Sequence, residues 1–257
     1  MASQRELTVV ILTKNEERVI ARCIDSITFP ADILVFDSES TDATVSIATA
    51  RGARVVTESW QGDFSAQRNR ADTHVVTPWV FHLDADEIVS PELAEELKAL
   101  FVDPTRIGTT IARIPRNELI FGKWIEHGGW YPQYKLRLYR RGVGHWTGRV
   151  HEDFVGYRET PYTFRGAILH DSYRDVQTFI EKFNRYSTMD AETAFAGGSR
   201  FSFMRLIFQP IERFIGRYVV HRGYRDGMHG FVLAFLVALN YVMRQLKLWE
   251  KGLGGKE

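Results

Sequence analysis

The strongest constraint on this chain is a rhythm in about its first hundred residues, where short apolar runs alternate with helix-like segments. Residues 7–12 (LTVVIL) are a continuous, partly β-branched run, the pattern of a strand buried on both faces. Val19, Ile20, Cys23, Ile24 and Ile27 then recur at helical spacing. A second strand is predicted over 33–36 (ILVF), a helix over about 41–51, a short strand over 54–57 and a fourth over 79–83 (WVFHL). Another helix is predicted beyond it, with Ser90 as N-cap and Pro91 at the first helical position. This β-α-β-α order predicts an α/β fold, a mostly parallel Rossmann-like sheet flanked by helices, with ligands at the carboxyl ends of the strands.

From residue 108 to 169 the pattern changes. Strand-like runs at 109–114, 135–139 and 162–169 are separated by glycine-rich and aromatic loops, which predicts a mixed or antiparallel extension of the same sheet. After Asp175 the chain turns helical, with Val176, Phe179, Ile180, Phe183 and Tyr186 expected on one face. Residues 196–199 (AGGS) read as a hinge, followed by two amphipathic helices over roughly 201–221 and 228–249.

Composition narrows the class. A chain of 257 residues, 44% hydrophobic and 25% charged, suits a globular protein with one large core or one core and an appendage. One cysteine, Cys23, excludes an internal disulfide and fits a reducing, cytoplasmic compartment. The apolar run at 7–12 is too short for a signal peptide, and no uninterrupted apolar run reaches the roughly 18 residues of a spanning helix. The longest, 231–239, is about half of that. The net charge of +1 hides an uneven distribution: residues 200–251 hold nine Lys/Arg against three Asp/Glu, a net of +6. With the remainder acidic and the pI near 7.9, nucleic acid is not an expected partner.

Polar residues cluster where the strands end. The first strand runs into Thr13-Lys14-Asn15-Glu16, the second into Asp37-Ser38-Glu39-Ser40-Thr41-Asp42, and the fourth into Asp84-Ala85-Asp86-Glu87. Two carboxylates spaced Asp-Ala-Asp at the end of a buried strand can present oxygens to a hard cation, Mg2+ or Mn2+, which keeps few protein ligands and takes the rest from substrate phosphates. The competing reading is an acidic turn before the Ser90-Pro91 helix start. Neither GxGxxG nor GxxxxGK[ST] occurs, so phosphate charge must be met by metal and scattered basic groups. Arg68, on a predicted short helix between Gln67 and Asn69, is one candidate, and a solvated surface arginine is the alternative.

The strand-TKNE, DSESTD, QRN and strand-DADE segments resemble glycosyltransferase family 2, whose members share the GT-A fold, over about residues 6–100. YPQYKLRLYRRG, WTGRVHE and LHDSY are similar to a branch containing lipopolysaccharide core β-1,4-glucosyltransferases. The resemblance implies a catalytic domain over 1–175, with a donor-binding half at about 6–100 and an acceptor and base half at about 101–175. A helical region at 176–257 follows. It implies that Thr13, Asn15 and Glu16 line the nucleoside pocket, that Asp37 reads the uracil ring, that Asp84 faces the ribose and that Asp86 holds the metal. An acidic residue from the second half serves as base, here Glu152 with Asp153 as competitor, and an inert structural pair is the alternative. His170, at a strand end in the branch motif, is either a second metal ligand or a structural histidine. Trp124, Trp130 and Tyr131 are either acceptor-stacking or core aromatics.

The implied reaction is inverting transfer of a hexose, glucose from UDP-glucose, onto a membrane-anchored saccharide such as lipopolysaccharide inner core. Transfer to a polyprenyl phosphate or another lipid-linked acceptor is the alternative, and an idle nucleotide-sugar or membrane-binding module is the rival of a different class. In the C-terminal region, Phe201, Phe203, Met204, Leu206, Ile207, Phe208, Ile211, Phe214, Ile215 and Tyr218 interleave with Arg205, Arg213 and Arg217. That pattern fits peripheral contact with an anionic membrane, here the inner face of the cell membrane, and equally a helical layer packed on the protein or on a second subunit.

Overall fold

The computed structural model describes residues 6–102, 108–148 and 152–253. In chain order the strands are β1 (Leu7–Thr13), β2 (Asp32–Asp37), β3 (Arg54–Thr57), β4 (Trp79–Asp84), β5 (Glu87–Val89), β6 (Ile111–Ile120), β7 (Lys123–Ile125), β8 (Gln133–Arg140), β9 (His145–Thr147), β10 (Asp153–Val155), β11 (Tyr162–Thr163) and β12 (Ile168–Tyr173). The helices are α1 (Ile20–Asp25), α2 (Thr44–Ala50), α3 (Phe64–Thr73), α4 (Pro91–Val102), α5 (Val176–Ala196), α6 (Phe203–Ile215) and α7 (Met228–Leu253). Two compact units emerge: Met1–Arg116 with Gln133–His170, and Asn117–Pro132 with Asp171–Glu257.

The sheet has the expected α/β character, running β3-β2-β1-β4-β8-β6-β12-β5. β1 pairs in parallel with both β2 and β4, and β3 adds in parallel outside β2. β8 then pairs antiparallel to β4, and β6 antiparallel to β8, which is the predicted antiparallel extension. Alternation along the strands sends Val9, Ile11, Val35, Phe81 and Leu83 into one hydrophobic cluster, and Val10, Leu34, Phe36 and Val80 into another. Both faces are thus covered, as continuous apolar runs require. Each fully buried Leu, Ile or Phe here contributes about 1.5–3 kcal/mol.

Several boundaries differ from expectation for identifiable reasons. The helix expected from 41 starts at Thr44, because the Thr41 N–H donates to Asn15 and the Ala43 N–H to Glu17. The run expected as one strand over 162–169 splits into β11 and β12, because the Arg165 and Gly166 N–H groups both donate to the Glu96 carboxylate. Gly166 is obligatory there, since any Cβ would strike the Leu93 backbone in the first turn of α4. That helix starts as predicted, with the Leu93 N–H donating to Ser90 Oγ at 3.1 Å. Before it lies a short strand, β5, that periodicity does not reveal.

In the C-terminal unit, the inward line of α5 is not the predicted one. Phe179, Ser187 and Ala191 are buried and Phe183 packs with Phe179, while Val176, Ile180 and Tyr186 stay exposed. The inward residues follow an i, i+4 ladder, and the ring of Phe183 stacks on Phe179 at 4.0 Å. The helix expected over 201–221 is interrupted: α6 ends at Ile215, a π-helical turn covers Gly216–Val220 and a 3-10 turn Gly223–Asp226. The absence of an uninterrupted apolar run also understates α7, which by length and composition can cross a membrane, with a mean hydropathy of 1.4 in its most apolar window.

α7 is nevertheless the core of its unit. Leu233 and Leu236 pack with Ile120, Ile125 and Phe179. The Lys247 ammonium lies 2.6–2.8 Å from four oxygens of α5: the Asn184 carbonyl, Asn184 Oδ1, Ser187 Oγ and Thr188 Oγ1. At its other end, Gly230 lies so close to the Gly223 carbonyl that a methyl group cannot fit between them. Gly230→Ala is therefore expected to destabilise the C-terminal unit by about 1–3 kcal/mol through overpacking, read as a lower urea midpoint with an unchanged slope.

Candidate active site

The strand register makes the three polar clusters neighbours. Thr13 of β1 lies opposite Asp37 of β2, and Leu12 opposite Asp84 of β4, so three adjacent strands end level. The loops after β1 and β2 then interlock. Asp37 is fully buried, its Oδ1 accepting from Thr13 Oγ1 at 3.0 Å and Ser40 Oγ at 2.5 Å, its Oδ2 from the Ser40 N–H at 2.9 Å. The Asn15 N–H donates to Ser40 Oγ, and Asn15 Oδ1 accepts from the Thr41 N–H. The Glu16 N–H donates to Thr44 Oγ1 at 2.7 Å. Asn15 adopts a left-handed backbone, with φ of 57°, which asparagine tolerates better than most residues. Thr13, Asn15, Glu16 and Asp37 are thus drawn into one preformed loop pair.

Asp84 sits in a different setting, between two arginines. Arg137 of β8 grips it with Nη1 at 3.2 Å and Nη2 at 2.6 Å, and Arg68 of α3 adds Nη2 at 2.7 Å. Arg68 is 3% exposed, so the solvated-arginine alternative is excluded. It also donates from Nε to Glu152 at 3.1 Å. Arg137 Nη2 reaches Glu87 Oε1 at 3.3 Å, and the other oxygen of Glu87 accepts the Asp84 N–H. Burial alone would push the Asp84 carboxyl up, but the charges of Arg137 and Arg68 and their hydrogen bonds hold it well below the usual carboxylate range.

The mid-strand His82 anchors this cluster from beneath. Its Nδ1 is 3.1 Å from Arg68 Nη1, and a guanidinium can only donate, so Nδ1 is the acceptor and the proton sits on Nε2, 2.8 Å from Asp72 Oδ1. Asp72 also accepts from Tyr139 Oη at 2.5 Å, and Tyr139 accepts from Trp146 Nε1. Burial pushes the His82 imidazole down despite Asp72, and a second proton would break the bond from Arg68.

Asp86 and His170 form a separate pair, with His170 Nε2 3.0 Å from Asp86 Oδ2. Asp86 lies in the turn after β4, and His170 is on β12 opposite Glu87. Among the described residues no three His, Cys, Asp or Glu side chains group as a complete metal site. A carboxylate and an imidazole 3.0 Å apart fit a cation that takes its remaining ligands from a phosphate substrate. Asp153, next to Glu152, is exposed on β10 and pairs across the two-stranded β9–β10 ribbon. His151 lies outside the described residues. Trp130 packs with the Tyr173 ring beneath the Arg217 guanidinium, which is core packing, whereas Trp124 is 39% exposed.

Sequence reasoning did not single out Arg137, Glu87 or His82. Arg137 lies between Leu136 and Leu138 in a strand where the face it shares with Tyr139 is buried. A charged side chain on such a face needs partners, and that was the available signal. His82 carried the same signal in a run of apolar residues.

Over residues 8–164 the sequence matches the family described as Glycosyl transferase family 2. The lipopolysaccharide core biosynthesis glycosyltransferase LpsC of Rhizobium meliloti is 30% identical, over 98% of this chain and 94% of that protein. An uncharacterized glycosyltransferase of Rickettsia typhi is also 30% identical, over 97% of this chain and 88% of its own length. Among solved structures, S. aureus TarS 1-349 in complex with UDP aligns over 98% of this chain and 92% of that one, at 15% identity and a TM-score of 0.48.

Two outcomes follow from the buried charges. Arg137→Met removes the bidentate partner of Asp84 and the nearest cation to fully buried Glu87, and is expected to cost about 3–5 kcal/mol in urea unfolding. His82 is neutral in the fold, so the unfolded chain binds an extra proton below about pH 6.5 and stability falls with pH from there. The depressed Asp84 acts lower, its contribution being present above about pH 4 and lost as pH falls through its folded value. His82→Gln keeps one acceptor for Arg68 and one donor for Asp72 without a titrating proton, and should flatten the slope between about pH 6.5 and 5.

Proposed function

The chain belongs to glycosyltransferase family 2, and on that premise we propose that it moves glucose from UDP-glucose, with inversion, onto a membrane-anchored saccharide of the lipopolysaccharide inner-core class. Its α/β sheet is the GT-A fold. The observation that carries the reading is the level ending of β1, β2 and β4, with Arg68 joining the end of β4 to Glu152. The likeness to LpsC over 98% of this chain supports the acceptor class. An anionic leaflet at the cytoplasmic face, met peripherally by the basic C-terminal region, is where such an acceptor is reached.

Thr13, Asn15, Glu16 and Asp37 form the nucleoside end of the donor site, and Asp84 faces the ribose. Arg68 serves the diphosphate end. Asp86 and His170 would hold a divalent cation, Mg2+ or Mn2+, which when bound supplies Lewis-acid neutralisation of the leaving diphosphate. Glu152 is the base. As the bond from the anomeric carbon to UDP breaks, the acceptor oxygen bonds that carbon from the opposite face, and its proton passes to the Glu152 carboxylate. The Arg68 guanidinium fixes the orientation of that carboxylate through Nε, which favours Glu152 over the exposed Asp153.

Two measurements test this. Glu152→Gln is expected to lower turnover by about 10²–10⁴-fold while UDP-glucose affinity stays within about threefold, because shape is kept and only the proton acceptor is lost. Full turnover in Glu152→Gln with loss in Asp153→Asn would move the base one residue along. Calorimetry with UDP should show binding weakened by a chelator, and Asp86→Ala should abolish that difference. Equal affinity with and without chelator would remove the metal from Asp86.

A further inference from the structure

α6 is a helix of 13 residues, with Pro210 inside it, in which no residue is buried. Phe203, Met204, Ile207, Phe208, Ile211 and Ile215 are each between 43 and 66% exposed. At 3.6 residues per turn these six fall within an arc of about 140°, so they form one continuous apolar face. Intermediate burial falls beside that arc, at Leu206, Gln209 and Pro210, and reaches its edge at Phe214, where the helix packs on α7: the Phe214 ring meets Phe231 at 5.6 Å, and the Arg213 guanidinium lies over Tyr241. The exposed apolar face runs on through Val219, Val220, Tyr224 and Met228, 50–73% exposed in and beside the turns that lead into α7.

The exposed charges around this face are mostly basic. Arg205, Arg213, Arg222 and Arg225 are exposed. Of the acids between 203 and 228, Glu212 is exposed, whereas Asp226 is turned inward and accepts from the His127 N–H at 2.9 Å. Arg217, expected on the basic face, is also turned inward, donating to the Gly128 carbonyl at 2.8 Å. α7 is placed differently. Its Leu233, Ala234, Val237, Gln245 and Leu248 are buried, Gln245 Oε1 accepts the Ser202 N–H, and Lys247 is held by α5. Crossing a membrane would strip α7 of both neighbours and leave these polar groups in hydrocarbon.

We propose that α6 is an in-plane membrane anchor, its Phe203–Ile215 face sunk at the headgroup–acyl boundary of an anionic leaflet and its arginines on lipid phosphates, while α7 remains the packed core of the unit and does not span. A large apolar arc beside a predominantly basic rim is what such a surface recognises. This rests on the membrane-anchored acceptor of the functional reading, and names the element that meets the lipid.

The test uses the full chain and vesicles of phosphatidylethanolamine with phosphatidylglycerol, without nucleotide or sugar. Cys23 is buried, so environment-sensitive fluorophores can be attached at Ile207→Cys, Ile211→Cys, Ile215→Cys and Glu212→Cys on α6, and at Leu239→Cys and Leu246→Cys on α7. Shallow nitroxide lipids should quench the three isoleucine sites several-fold more than the Glu212 site, and nitroxides at the bilayer centre should not quench the α7 sites. Ile207→Asp with Ile211→Asp should lower the vesicle-bound fraction at least about tenfold, with an unchanged circular dichroism spectrum. Central quenching along α7 would overturn the proposal in favour of a spanning helix. Absence of binding at low salt, with a dimer by light scattering, would make the face a self-association surface; without a dimer it would leave α6 no lipid role. UDP binding measured without vesicles can fail independently, which separates this proposal from the catalytic one.

Discussion

The structure of the N-terminal unit turns on a cluster of charges placed where a protein interior least tolerates them. Arg68 and Arg137 are almost completely buried, and each would be untenable alone because removing a guanidinium from water costs several kcal/mol. They are tenable together because Asp84, Glu87 and Glu152 supply carboxylate oxygens to them, and because His82 offers a lone pair to Arg68. The partners come from α3, β4, β5, β8 and the segment before β10. The cluster therefore closes only when pieces separated by up to 84 residues have assembled. It is at once a structural keystone and a ready-made charge field at the strand ends, which is why mechanism and stability are hard to separate there.

How much of this was legible in the sequence varies with the physics involved. Strands β1, β2 and β4 were readable because burial on both faces leaves an unbroken apolar run, and Ser90-Pro91 was readable because capping is local. The convergence of Thr13, Asp37 and Asp84 was readable from chain order alone, since parallel strands end at one edge. Arg137 and Glu87 were not, because their significance is a pairing across 50 residues, and each stands among other charged residues that chain order alone does not rank. The split between β11 and β12 was hidden for the same reason: it depends on a Glu96 carboxylate from a distant helix. Nor did periodicity identify the inward face of α5, where Ser187 and Ala191 are buried while Ile180 is not, because the choice is made by what α7 offers.

The two polar settings at the strand ends also differ in kind. The loops after β1 and β2 are stitched around the buried Asp37 carboxylate by hydroxyls, an amide and backbone N–H groups, with the Glu17 and Asp42 carboxylates accepting further N–H groups and no arginine among these partners. The end of β4 is set by ion pairs, whose geometry is exact but whose strength depends on the exclusion of water. A ligand entering beside the first meets a rigid contour, and one entering beside the second meets a field that strengthens as the ligand displaces solvent.

The joint between α5 and α7 has a consequence of its own. Lys247 is held by four oxygens that carry no formal charge, although its ammonium has only three hydrogens to give, so at least one is shared. Such a joint is an ion set among dipoles, and dilute electrolyte has no opposite charge to compete for. Brine or acid that would loosen arginine–carboxylate contacts acts less on this contact than on the Lys251–Glu192 pair that joins the same two helices. At Lys247 the hold of α5 on α7 thus depends on dipoles, while one turn on, at Lys251 and Glu192, it depends on an ion pair.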